Sequence, residues 1–194
     1  MANFSDLYLS QLNEHIEVMN MARGLASAVS SAGQKWLDSL DNGGKILLMG
    51  NGGSAADAQH IAAELVGRYL SERRALPAIA LTTDTSILTA VGNDYGFDCI
   101  FSRQVEALAQ PDDVVVGYST SGNSQNICEA MKVAQAKGCC TLALTGQTGG
   151  ALAKIVDNCI AVPSACTPRI QEVHSFIGHM LCAFVDAGIN RESI

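Results

Sequence analysis

From residue 45 onward, short apolar runs alternate with segments long enough to be helices, and that alternation leaves few folds open to the chain. The runs fall at 45–49, 77–81, 114–118, 140–145 and 159–162. Between and after them lie candidate helices at 54–69, at 84–109 with a break at Gly92 to Gly96, at 123–137, a short one from Gly149, and a final one at 168–188. Strands separated by helices make βαβ crossovers, which are right-handed and bury a parallel sheet beneath helices on both faces. The expectation is an α/β fold with a five-stranded, parallel, doubly wound sheet of flavodoxin-like order, flanked by helices.

Residues 4–40 stand outside this rhythm. Leu9, Leu12, Ile16, Met19, Ala22, Leu25 and Val29 recur at helical spacing, and the pattern stops near Asp41-Asn42-Gly43-Gly44. This is one long helix or a broken pair, placed to pack on its own core or on another subunit. With no linker-like stretch or short repeat, residues 1–194 read as one domain: an N-terminal helical segment over 1–42, expected at an oligomer interface, and an α/β core over 43–194.

Aromatic residues make up only 5% of a chain that is 48% hydrophobic, a balance that suits helices lying close on a buried sheet. The net charge of −7 argues against nucleic-acid and anionic-membrane partners. No apolar run approaches the ~20 residues of a membrane span, and the polar start Met1-Ala2-Asn3-Phe4-Ser5-Asp6 does not read as a signal peptide. A cytoplasmic protein is expected. The seven cysteines (Cys99, Cys128, Cys139, Cys140, Cys159, Cys166, Cys182) have no C-x-x-C spacing and read as reduced core residues.

Two loops at strand ends carry the ligand chemistry. Gly50-Asn51-Gly52-Gly53-Ser54 follows the first strand, and Ser119-Thr120-Ser121-Gly122-Asn123-Ser124 follows the third. A hydroxyl-rich loop opening a helix offers side-chain O–H groups and unpaired backbone N–H groups to an anion, aided by the helix dipole. Such a cradle needs no lysine. Glycine-rich turns are often only turns, but four hydroxyls in six residues exceed what capping requires. The chain has no G-x-x-x-x-G-K-[ST], and it meets the dinucleotide fingerprint only in relaxed form at Gly50, Gly52 and Ala55, so a small phosphorylated molecule is the better ligand.

On the helix after the first loop, His60 and Glu64 are spaced i, i+4 and project from one face. Imidazole and carboxylate are zinc ligands, although a surface pair at this spacing is common. The last helix holds Arg169-Ile170-Gln171-Glu172-Val173-His174 and then His179. His174 and His15 read as ordinary helix residues. Gln171 and His179 are eight apart, about 12 Å along a continuous helix, too far to meet one ion. Either Gln171 precedes the regular helix, or the site draws on two chains.

Taken together, Gly-Asn-Gly-Gly-Ser at 50–54, His60 with Glu64, Gly-Arg-Tyr at 67–69, Pro-Ala-Ile-Ala at 77–80, Val-Gly-Asn-Asp at 91–94, the serine loop at 119–124, and Arg-Ile-Gln-Glu at 169–172 with His179 carry a resemblance. Over nearly its whole length the chain resembles the sugar isomerase (SIS) domain family, and within it the sedoheptulose 7-phosphate isomerases. That resemblance implies a sugar-phosphate substrate held by Asn51, Gly52, Gly53, Ser54, Glu64, Asn93, Asp94, Ser119, Thr120, Ser121, Ser124 and Gln171. It implies one zinc ion per subunit at His60, Glu64, Gln171 and His179, and a homotetramer with composite sites. One departure stands out: some relatives carry aspartate where this chain has Pro168.

An aldose–ketose isomerase needs a base at carbon and an acid at oxygen. The resemblance assigns Glu64 as base and His179 as acid in an enediol mechanism, feeding heptose synthesis for bacterial surface polysaccharide. Two rivals remain: a non-catalytic SIS-domain protein that binds sugar phosphates or resembles replication regulators, and an isomerase for a different phosphosugar. Neither would need the set His60, Glu64, Gln171 and His179.

Overall fold

The computed structural model describes residues 3–189; what the domain reading says of residues 1–2 and 190–194 lies outside them. In chain order the elements are α1 (Phe4–Met21), α2 (Ala26–Asp41), β1 (Ile46–Gly50), α3 (Gly53–Val66), β2 (Ala78–Ala80), α4 (Thr85–Tyr95), α5 (Ser102–Leu108), β3 (Val114–Ser119), α6 (Gln125–Ala136), β4 (Cys140–Thr145), β5 (Asn158–Ala161) and α7 (Thr167–Ile189). The five strands pair in parallel in the order β2-β1-β3-β4-β5, the flavodoxin-like order expected of a doubly wound α/β sheet.

Alternation along each strand divides the core. Ile46, Leu48, Val114, Val116, Tyr118, Leu142 and Leu144 face α2, α3 and α7. Leu47, Met49, Val115 and Ala143 face α5 and α6 on the other side. Because both faces are covered, the strands read as continuous apolar runs rather than alternating ones. Helix α7 meets the first face with Ile170, Val173, Ile177, Leu181 and Val185, a stripe at three- and four-residue spacing.

The N-terminal segment is a broken pair, with a 3₁₀ turn at Ala22–Leu25 between α1 and α2. Its halves behave differently. Val29, Ala32, Trp36 and Leu40 bury α2 on the chain's own core, whereas Phe4, Tyr8 and Ile16 of α1 are 80%, 67% and 47% exposed.

Several element ends differ from the periodicity reading, each for a local reason. Helix α3 stops at Val66 rather than 69, because Arg73 donates to the carbonyls of Glu64 and Leu65 and so takes over acceptors that a continuing helix would use. The break expected within Gly92 to Gly96 falls at its far end: the helix runs through Gly92 and stops before Gly96, whose φ of +90° a helix cannot hold. Gly149 and Gly150, also at positive φ, reduce the expected short helix to a 3₁₀ turn at Leu152–Lys154.

Helices α3 and α7 lie side by side on one face and run parallel, which positions the site. Asp57 meets Ser175 and His60 meets His179, pairs 118 and 119 residues apart, so the register is nearly constant along the seam.

Candidate active site

The two glycine- and serine-bearing loops sit at the carboxyl ends of β1 and β3, neighbours in the sheet at the point where strand order reverses. A reciprocal amide pair joins them. Asn51 Nδ2 donates to Asn126 Oδ1 (3.0 Å) and Asn126 Nδ2 donates to Asn51 Oδ1 (2.9 Å). Asn126 is buried in the first turn of α6, so this pair fixes the first loop against the start of the helix that the second loop feeds.

Ser124 precedes α6 in an extended conformation, but its hydroxyl lies 2.8 Å from that of Ser119 instead of capping the helix. Ser121 Oγ accepts from the Asn123 amide, and Asn123 Oδ1 accepts from the Ala151 amide. The loop is thus braced from outside, while the leading N–H groups of α6 keep the open donors of any helix start. Thr120 and Ser121 also line a cavity of about 230 Å³ that continues past Gln147 and Thr148 to Thr167 and Ile170 at the start of α7. A cavity of about 420 Å³ lies elsewhere, between the N-terminal helices and α7, with a mostly apolar lining that includes Met19, Leu25, Phe176, Met180 and Phe184 beside Asn20 and Arg23.

Along the α3–α7 seam, His60, Glu64 and His179 bring ligand atoms within 4.8 Å of one another. His60 Nε2 faces His179 Nε2 at 2.7 Å, and Glu64 Oε1 stands 3.8 Å from His60 Nε2. Two imidazole nitrogens and a carboxylate converging this closely are a donor set that suits a zinc-like cation. The ring of Tyr69 stacks on His179, with centroids 5.4 Å apart and planes 22° from parallel.

Half-buried and buried polar groups line the same two helices. Ser175 donates to Asp57 Oδ1 at 2.6 Å, while Asp57 Oδ2 has no partner among the described residues. Burial raises the Asp57 carboxyl above the usual carboxylate range, against the lowering effect of Ser175 and His60. His174 Nε2–H donates to the Thr145 carbonyl at 3.1 Å, and burial pulls its pKa down to about 4, so it is neutral in the core. Burial, with Glu64 nearby, pushes the Cys182 thiol up to about 12. That thiol is inert, and all seven cysteines are unpaired.

Comparison with known proteins fits this geometry. Residues 8–146 match the SIS domain family. The phosphoheptose isomerase of Geotalea daltonii is 57% identical over 178 residues, 91% of this chain and 93% of that protein. The phosphoheptose isomerase GmhA of Neisseria gonorrhoeae superposes with a TM-score of 0.90 at 45% identity, covering 95% of this chain and all of that one. For the phosphoheptose isomerase of Francisella tularensis the TM-score is 0.92 at 40% identity, over 96% of this chain and 100% of that one. The chain belongs to the SIS-domain phosphoheptose isomerases.

Not every residue expected at a phosphoheptose isomerase site lies together in one chain. Asn51, Gly52, Gly53, Ser54, Ser119, Thr120, Ser121 and Ser124 occupy the two joined loops; His60, Glu64 and His179 form the cluster on the seam. Gln171 lies inside α7, not before it, and packs against Gly53: a Cβ added at Gly53 would come within 2.7 Å of Gln171 Nε2. That leaves it about two helical turns from His179. Asn93 donates to Asp94 at 2.8 Å, and both are exposed near the end of α4. Pro168 sits in the first turn of α7, where a missing N–H costs nothing.

Sequence reasoning missed the structural partners of these groups: Asn126, Tyr69, the Asp57–Ser175 pair, and His15, whose Nδ1 lies 2.7 Å from Glu172 Oε2 and ties α1 to α7. Only Tyr69 had a visible signal, since it ends the Gly-Arg-Tyr run.

Proposed function

We propose that this chain interconverts sedoheptulose 7-phosphate and D-glycero-D-manno-heptose 7-phosphate in the cytoplasm, the first step toward ADP-heptose for lipopolysaccharide core or another surface polysaccharide. The convergence of His60, Glu64 and His179, two of them on the helix that the first glycine loop feeds, carries this reading. No described helix is long and apolar enough to cross a membrane.

In this reading Ser119, Thr120, Ser121 and Ser124 hold the phosphate through hydroxyls and helix-start amides, without a charged side chain. His60, Glu64, Gln171 and His179 are the residues to hold one zinc ion per subunit, which would polarise the sugar's carbonyl and hydroxyl oxygens. Glu64 takes the proton from the carbon next to the carbonyl and returns it to the neighbouring carbon. With Oε1 turned toward His60, its second oxygen is the one to carry that proton. His179, through the ring nitrogen that does not hold the ion, gives a proton to the carbonyl oxygen and recovers one from the hydroxyl, so that an enediol forms and collapses without net proton loss.

A homotetramer with composite sites belongs to the same proposal. Two observations support it: Gln171 stands two turns from the cluster in its own chain, and α1 leaves Phe4, Tyr8 and Ile16 uncovered. A second copy supplies both the missing ligand and the missing cover. Light scattering should return four times the chain mass.

The deciding assay incubates purified protein with sedoheptulose 7-phosphate, with chelator and with chelator followed by zinc. An aldose heptose phosphate should form, vanish with chelator and return with zinc. Absence of product at saturating zinc would overturn the proposal in favour of a binding protein.

A further inference from the structure

We propose that Tyr69 is a positioning residue for His179, held against the imidazole by the buried Arg73–Asp186 pair. This rests on the isomerase reading, and it adds a group outside the proposed ligand and substrate-binding residues.

A helix fixes where the His179 side chain begins, but the ring torsion of histidine sits in a broad, roughly two-fold well. Two neighbours narrow that well. The His60 ring meets His179 edge-on at 78°, and the Tyr69 ring lies nearly flat on it. Turning the imidazole would disturb both contacts.

Tyr69 can do this only if it is itself fixed, and it lies beyond the end of α3. The residues just after it are pinned. Asp186 Oδ2 accepts from the amides of Leu70 and Ser71 at 3.1 and 3.0 Å. Its other oxygen accepts from Arg73 Nε at 2.7 Å, while Arg73 Nη1 and Nη2 donate to the carbonyls of Leu65 and Glu64 at 2.9 and 2.8 Å. Both side chains are buried, at 1% and 6% exposure. Burial alone would raise the Asp186 carboxyl; Arg73 and the two amides outweigh it and hold the carboxyl below the usual range.

A buried ion pair is a poor source of stability, because desolvation cancels much of the attraction. What this one does supply is geometry. One guanidinium touches the backbone of Glu64, and its partner carboxylate belongs to the helix of His179. The loop carrying Tyr69 is thereby tied to both helices that present the cluster.

The test uses the full chain with Tyr69→Ala, Tyr69→Leu and Tyr69→Phe, measuring kcat, KM, thermal midpoint, and zinc affinity by competition with a chromophoric chelator. Loss of an outer partner of a metal-binding histidine lowers affinity or activity about 10- to 100-fold. Tyr69→Ala and Tyr69→Leu should therefore bind zinc roughly tenfold more weakly and lose kcat by a similar factor, with KM within about twofold. Tyr69→Phe, which keeps the ring, should restore both. A lowered midpoint with wild-type kcat and zinc affinity would make Tyr69 mere packing and overturn the inference; should the alanine variant not fold, the leucine variant decides. Wild-type protein that binds zinc but converts no sugar would defeat the isomerase reading alone, since the affinity comparison still supports or refutes the stacking role.

Discussion

Gly178 of α7 lies so close to Ile61 of α3 that a Cβ placed on it would come within 2.6 Å of Ile61 Cδ1. The hydrogen at that position lets the two helices approach, and the next residue, His179, meets His60. Gly178→Val should destabilise the fold by about 1–3 kcal/mol through overpacking. It should also lower kcat well below what the loss of folded protein explains. Urea titration alongside kinetics on the folded fraction checks this; full activity per folded molecule would mean that the close approach does not set the cluster.

The proposed proton carriers make a separate prediction. Glu64→Gln and His179→Gln should each reduce kcat by roughly 10²-fold or more while phosphate binding is retained. Inorganic phosphate as a competitive ligand measures the second half of the claim. Undiminished turnover in either variant would remove that residue from the mechanism.

How much of this was readable beforehand depends on how local the cause was. The strand at 114–118 announces itself through its apolar run, and the serine loop through composition alone. The end of α3 was not readable. Its apolar pattern runs on toward Tyr69, and the group that stops it, Arg73, acts through a tertiary contact with Asp186, more than a hundred residues away. Spacing on α7 showed that Gln171 and His179 could not share an ion within one helix. The joining of His60, Glu64 and His179 in a single chain depended on the parallel register of α3 and α7, which no local pattern encodes.

Buried His174 gives the fold a dependence on acid. Its pKa is about 4 in the folded chain against an ordinary 6.5, so between those values the unfolded chain binds a proton that the native chain refuses. Stability from this group is whole above pH 6.5, falls as pH drops through the interval, and changes no further below about 4. The full span is on the order of 3 kcal/mol. Chemical denaturation from pH 7 to pH 4 should show a flatter profile for His174→Gln than for the wild type; identical slopes would assign the acid lability to other groups.

At the phosphate end, Asn126→Ala should act on binding before chemistry. It strands the Asn51 amide and frees the first loop from α6. An unsatisfied partner costs about 1–3 kcal/mol when fully buried, and Asn51 is half-buried, so the cost falls toward the lower end. KM for the sugar phosphate should rise more than kcat falls, and the reverse pattern would count against the loop-joining role.

Because α3, α6 and α7 all start at the same edge of the sheet, that edge gathers three fractional positive poles with no acidic side chain in their first turns to answer them. Like poles repel, so this rim is a loaded spring in a protein whose overall charge is negative. Any small dianion relaxes it, catalysis or not. Inorganic phosphate should therefore raise the melting temperature of the unreacting protein, and added sodium chloride should blunt the gain as its ions screen the poles.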